Sequence, residues 1–137
     1  VVILNLAFIF MADLARALDF PVEVDFLCLM SYGVGTESSE EVHVTKDVEL
    51  PVKGRHVLVV EDIVDTGLTL AYLIDHIKSL GAKTVKICAM IDKRERRDVA
   101  VSIDYACHVV TQGFLVGYGL DYDQKYRGLP GIYHLKF

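Results

Sequence analysis

The sequence predicts an α/β protein: an open, mostly parallel twisted sheet flanked by helices. Three observations predict it. Strand-like apolar runs alternate along the chain with helix-like stripes, the pattern of a sheet with helical crossovers. Val57-Leu58-Val59-Val60 is a continuous, largely β-branched run, as expected of a strand buried on both faces in a parallel sheet. Leu70, Leu73, Ile74, Ile77 and Leu80 then recur at helix spacing, and Gly81 follows as a helix stop.

The elements follow in order. Val1 to Leu4 is a short apolar strand and Asn5-Leu6 the turn after it. Ala7 to Leu18 reads as a helix with Phe8, Met11, Ala12 and Ala15 on one face, and Pro21 punctuates the chain. Val22, Val24 and Phe26 alternate with Glu23 and Asp25 before the chain turns apolar to Met30, which predicts a second strand. Ser31 to Glu41, with two glycines and three serines, reads as a mobile loop. A short strand is expected over Glu41 to Thr45 and a turn at Lys53-Gly54. Past the central strand and helix come a strand at Thr84 to Ile91, a charged loop at Asp92 to Asp98, and strands at Ser102 to Val110 and Phe114 to Tyr118. The tail after Asp121 is turn-rich.

The bend between the central strand and helix, Glu61-Asp62-Ile63-Val64-Asp65-Thr66-Gly67, carries chemistry. Thr66-Gly67-x-Thr69 falls where a helix begins. Free backbone N–H groups, the positive end of the helix dipole and two hydroxyls there make a cradle for one phosphate. A glycine lets the backbone approach a ligand closely. Glu61, Asp62 and Asp65 are poor neighbours for a bare polyphosphate, but suit sugar hydroxyls, a magnesium ion or a proton in transit. The combination points to a sugar phosphate. Neither G-x-x-x-x-G-K-[ST] nor G-x-G-x-x-G is present, so the usual triphosphate and dinucleotide loops lack support. The bland reading, an N-capped helix after a solvated acidic turn, needs one polar residue where this stretch has several.

VLVVEDIVDTGLTL resembles the phosphoribosyl-pyrophosphate motif of the type I phosphoribosyltransferases. SYGVGTESS (31–39), DKRERR (92–97) and FLVGYGLDYDQKYRGLP (114–130), in this order, resemble the hypoxanthine-guanine members of that family, and the likeness covers nearly the whole chain. The resemblance implies the type I phosphoribosyltransferase fold. It also implies purine salvage: hypoxanthine or guanine plus phosphoribosyl pyrophosphate gives IMP or GMP and pyrophosphate, with Mg2+. It puts Glu61 and Asp62 on the ribose hydroxyls, directly or through the metal, and Asp65, Thr66, Gly67, Leu68 and Thr69 around the ribose phosphate. Asp65 lies beside purine N7 as general acid/base.

By the same resemblance Lys93 donates to the exocyclic oxygen of the base. A lysine gives hydrogen bonds and accepts none, so an amino group there would leave donor facing donor. Phe114 stacks on the purine and the Leu115 backbone reads its edge. Asp121 stands near the base and helps hold magnesium-bound pyrophosphate, and Arg127 pairs with that pyrophosphate. Arg97 matches a position on the phosphate side. Ser31 and Tyr32 open a loop that closes over the reaction centre and excludes water. One turn departs from the pattern: Asn5-Leu6 stands where the family carries Lys-Gly beside pyrophosphate. That keeps an alternative open, a weakened or non-catalytic nucleotide-binding relative on the same fold.

Bulk properties bound the rest. The 137 residues make a single domain large enough for one core, 53% hydrophobic and 24% charged. A net charge of −5 argues against a nucleic-acid surface, which needs a basic stripe. Cys28, Cys88 and Cys107 lie in apolar runs without metal-ligand spacing and read as buried thiols of a reducing, cytoplasmic compartment. The five histidines are scattered and suggest no metal site. No run approaches the ~18 apolar residues of a membrane span. The family has a further segment ahead of the first strand, so the resemblance implies an N-terminally incomplete chain. It also implies a homodimer or homotetramer.

Overall fold

The computed structural model describes residues 1–4, 6–32 and 41–137. Its elements are β1 (Val2–Leu4), α1 (Phe8–Ala17), β2 (Phe26–Tyr32), β3 (Glu41–Lys46), β4 (His56–Val64), α2 (Leu68–Ser79), β5 (Thr84–Lys93), β6 (Tyr105–Val110), β7 (Phe114–Val116) and β8 (Tyr133–Leu135). Six strands form one sheet in the order β3-β2-β1-β4-β5-β6, and β7 with β8 forms a separate antiparallel pair. β1, β2, β4, β5 and β6 run parallel, while β3 lies antiparallel on the edge. The parallel strands therefore end along one margin, where loops of such sheets gather into sites.

Both faces of the central strands are covered. Leu70, Leu73 and Ile77 of α2 pack with Ile3, Leu27, Val57, Val59, Ile87 and Ala89. On the other face Phe10 of α1 packs with Val60, Cys88 and Met90, and with Leu115 and Leu120 from the small-sheet region. Val59, Leu73, Ile77 and Leu27 are completely removed from solvent, so the central strands are anchored from both sides.

The structure shifts several expected boundaries and faces. In α1 the buried residue is Phe10, backed by Met11 and Leu14, while Phe8 and Ala12 face solvent. Four consecutive apolar residues, Phe8 to Met11, leave periodicity without a unique face to choose. Val22 and Val24 lie exposed outside any strand, and β2 begins only at Phe26 and continues through Ser31 and Tyr32. Leu80 caps α2 and is exposed, so the stripe ends at Ile77. β6 starts at Tyr105, three residues later than Ser102. The tail, expected as turns, contributes β8, which pairs Val116 with Tyr133 and Phe114 with Leu135.

The most consequential shifts concern β4 and β5. β4 does not stop at Val60 but carries Glu61, Asp62, Ile63 and Val64 inside the sheet. β5 carries Asp92 and Lys93, both expected in a loop. The continuous pairing of β4 with β5 explains this: Glu61 registers with Ala89, Ile63 with Ile91 and Val64 with Asp92. Backbone ladder bonds made across two strands hold polar residues extended where local sequence reads a turn.

Candidate active site

Glu61 and Asp62 sit side by side in a central strand, 8% and 3% exposed. Burial raises the Glu61 carboxyl well above its ordinary range, and the adjoining Asp62 carboxylate pushes the same way. Burial also raises Asp62, against hydrogen bonding to Glu61 and the backbone and the attraction of Arg127. Glu61 accepts from the backbone N–H of Asp62 at 3.1 Å. Asp62 Oδ2 is buried with no hydrogen-bond partner among the described residues. Such an acceptor is costly unless a ligand completes it.

Beyond Val64 the chain turns through Asp65, Thr66 and Gly67 into α2. Gly67 occupies the cap position at φ +88°, and no side chain caps the helix. Thr66 Oγ1 accepts weakly from Leu68 N at 3.4 Å. A cavity of about 130 Å³ opens here, lined by Glu61, Ile63, Val64, Asp65 and Thr66 with Gly67, Thr69 and Leu70. Leu68, from the same stretch, is partly exposed and does not line it. Glycine at 67 is required on two counts. Its φ is left-handed, and a β-carbon there would come 2.8 Å from the carbonyl oxygen of Val99. The segment after β5 thus presses on the loop, and Asp98 N and Val99 N donate to Thr66 O at 3.0 and 3.1 Å.

Lys93 ends β5, one strand from Asp65. Because Val64 registers with Asp92, Asp65 and Lys93 leave the sheet as neighbours. The Lys93 ammonium lies 3.5 Å from Glu95. Asp65 Oδ2 accepts from Nε and a terminal nitrogen of Arg96, the former at 3.0 Å, while its Oδ1 is buried with no partner among the described residues. Arg97, expected on the phosphate side, packs against the loop, its side chain 3.3 Å from where a β-carbon on Gly67 would sit. Its guanidinium donates to Asp65 O at 2.8 Å, Val64 O at 3.0 Å, Lys93 O at 3.1 Å and Asp92 Oδ1 at 2.5 Å. Sequence reasoning assigned no role to Arg96 or Asp92. The available signal was an acidic residue directly ahead of a basic run, which reads equally well as solvated surface.

A third group gathers around Arg127. It pairs with Asp121 at 3.2 Å and donates to Gly119 O at 2.9 Å, and its charge acts on Asp62. Leu6 joins this group through its backbone, packed directly against Gly119. Asn5 lies outside the described residues. Ser31 and Tyr32 end β2, paired with Val42 and Glu41, and the loop after them lies outside the described residues. Phe114 and Leu115 are in β7, away from the walls of the cavity at the start of α2. Phe114 is partly exposed and meets Tyr122 edge-to-face with ring centres 5.5 Å apart. The Leu115 side chain is buried in the α1-side core, and the residue pairs with His134 of β8.

The family model for the phosphoribosyl transferase domain matches residues 1–123. A hypoxanthine-guanine phosphoribosyltransferase of Streptococcus thermophilus is 50% identical over 127 residues, 93% of this chain and 71% of that protein. The crystal structure of a hypoxanthine phosphoribosyltransferase from Staphylococcus aureus superimposes with a TM-score of 0.93 at 37% identity, covering 98% of this chain and 73% of the other. The Trypanosoma cruzi hypoxanthine phosphoribosyl transferase, studied for the role of its C-terminal region in oligomeric state and activity, gives a TM-score of 0.92 at 43% identity, covering 98% and 71%.

Proposed function

The chain belongs to the hypoxanthine-guanine phosphoribosyltransferases, and on that premise we propose that it joins hypoxanthine or guanine to phosphoribosyl pyrophosphate, forming IMP or GMP and releasing pyrophosphate. One observation carries the reading: an open cavity at the uncapped start of α2, with Asp65 beside Lys93 at the ends of adjacent strands. Adjacent strands lie about 4.8 Å apart, so a sugar phosphate in the cavity brings its anomeric carbon within reach of a base held by Lys93.

The backbone of Thr66 to Thr69 and the two hydroxyls take the ribose phosphate, and the buried carboxylates of Glu61 and Asp62 take the ribose hydroxyls. Lys93 donates to the exocyclic oxygen of the purine, Phe114 stacks on its ring, and the Leu115 backbone meets its edge. N9 then bonds to the anomeric carbon, and the carbon–oxygen bond to pyrophosphate breaks with its electron pair on the leaving group. The proton on N7 passes to Asp65. Arg127, held by Asp121, faces the departing pyrophosphate beside the Leu6 turn. Ser31 and Tyr32 open the loop that excludes water from the developing cation.

The residues present fit a magnesium ion shared with substrate. Among the described residues no cluster of three or more metal-ligating side chains exists. Asp62 nevertheless has a buried oxygen to offer, and Glu61 and Asp121 lie in the same two groups of residues. Magnesium favours this arrangement, one or two carboxylates plus phosphate oxygens and water. Bound there, it would supply charge neutralisation for the leaving pyrophosphate.

We place the enzyme in the cytoplasm, where Cys28, Cys88 and Cys107 stay free. No described helix is long and apolar enough to cross a membrane. The exposed apolar stretch Phe20, Val22, Val24 and Phe26 supports assembly as a homodimer or homotetramer. The test is a spectrophotometric assay with phosphoribosyl pyrophosphate, magnesium and one base at a time. Nucleotide forms with hypoxanthine or guanine and not with adenine. No product with either oxo-purine overturns the reading.

A further inference from the structure

Asp65 is gripped at two points by consecutive arginines. Arg97 is mostly buried and holds the backbone: its Nε donates to Asp65 O at 2.8 Å, and the same guanidinium reaches Val64 O, Lys93 O and the Asp92 carboxylate. Arg96 holds the side chain, with two of its N–H groups converging on the single oxygen Oδ2. The other carboxylate oxygen, Oδ1, is buried and has no partner among the described residues. Asp65 also lines the phosphate-loop cavity. The clamp thus sorts the two oxygens of one carboxylate. One is occupied from the solvent side and the other is left as a buried acceptor.

We propose that Arg96 and Arg97 act as a two-point clamp that orients the Asp65 carboxylate for proton transfer at N7 of the bound purine. The inference rests on the function proposed above. Arg96 is a positioning residue: it works through Asp65 and does not reach the reacting atoms. A planar guanidinium is suited to the task because two N–H donors in a fixed fork define the orientation of the oxygen they share, which a point-charge ammonium does not. Through Arg97, which also bonds Lys93 O, the clamp ties the proton-transfer group to the strand end that carries the base-reading lysine. The spacing of the two is then set by one side chain.

Arg96 is largely exposed, with two-thirds of its side chain in solvent, so its replacement leaves the core intact. In the full chain, Arg96→Ala lowers kcat by about tenfold to a hundredfold, the scale on which misaligned reacting groups lose rate. KM for phosphoribosyl pyrophosphate, IMP affinity and the thermal midpoint stay near those of the unaltered protein. Arg96→Lys falls between the two. Added methylguanidinium restores part of the lost rate in Arg96→Ala and does nothing for the unaltered protein. A full kcat in Arg96→Ala overturns the clamp while leaving the proposed function standing. A loss of rate matched by equal losses in IMP affinity and thermal stability, and unmoved by methylguanidinium, also overturns it, because that is how a merely structural residue behaves. If the unaltered chain makes no nucleotide from either oxo-purine, the proposed function and the clamp fall together.

Discussion

The carbonyl oxygen of Leu6 lies only 2.3 Å from where a β-carbon on Gly119 would sit. The turn after the first strand and the turn that carries Arg127's acceptor are thus in backbone contact, although nearly the whole chain separates them. Gly119 is at φ +99°, its N–H donates to Arg127 O, and its carbonyl accepts from the Arg127 guanidinium.

Gly119→Ala follows directly from that contact. The new methyl meets a backbone oxygen and a left-handed φ, so one of the two turns must move. We expect a loss of about 1–3 kcal/mol in stability, the usual range for overpacking. Thermal denaturation reads it, and KM for phosphoribosyl pyrophosphate rises with it as Arg127 shifts. An unchanged melting temperature would show that the two turns yield freely.

Asp65→Asn keeps the shape of the side chain and removes its basicity. We expect kcat to fall by about 10²- to 10⁴-fold, the contribution of a positioned acid or base, while IMP binding measured by calorimetry stays close to that of the parent. A parental rate in the variant takes the proton-transfer role away from Asp65.

Lys93→Ala removes the donor proposed to separate oxo- from amino-purines. A hydrogen bond to a charged donor contributes about 1.5–3 kcal/mol, so the ratio of kcat/KM for hypoxanthine over adenine should drop at least tenfold. Competition assays with the two bases measure the ratio directly. Selectivity that survives would place the discrimination elsewhere, with the Leu115 backbone next in line.

Asp92 predicts a pH effect on stability. Burial works against its charge, but hydrogen bonds from Arg97 and Arg94 outweigh it and hold the carboxyl below the usual range. A depressed value in the folded state means that the carboxylate stabilises the fold above the unfolded value of about 3.9. That contribution disappears as pH falls through the lower, folded value. Asp92→Asn should therefore be less stable than the parent at pH 7, and the two stability curves should converge toward pH 2. Denaturant titrations across that range test it, and parallel curves would remove the ion pair from the account.

Much of the site was legible locally. Val57 to Val60, the helix stripe to Ile77, and Gly67 ahead of that helix are written in short-range periodicity and in the steric demand of one backbone angle. The same reading stopped β4 four residues early. Glu61 and Asp62 look like a turn to any local rule, and only pairing with β5 holds them extended and buried. The face of α1 was misread because Phe8, Ile9, Phe10 and Met11 offer apolar atoms in every direction, and packing against Val60 and Met90 selects Phe10. β8 escaped notice because three residues in a turn-rich tail become a strand only by pairing with β7.

By itself the sequence determined the parallel α/β class, the strand–loop–helix unit and the glycine turn ahead of that helix, since each depends on residues within a few positions of one another. The tertiary structure alone decided that Arg97 would bond to the ends of two strands, that Asp62 would keep a buried oxygen with no partner among the described residues, and that Leu6 would meet Gly119. Those outcomes depend on which distant groups share a place from which water is excluded, and burial and partnership are properties of the folded neighbourhood.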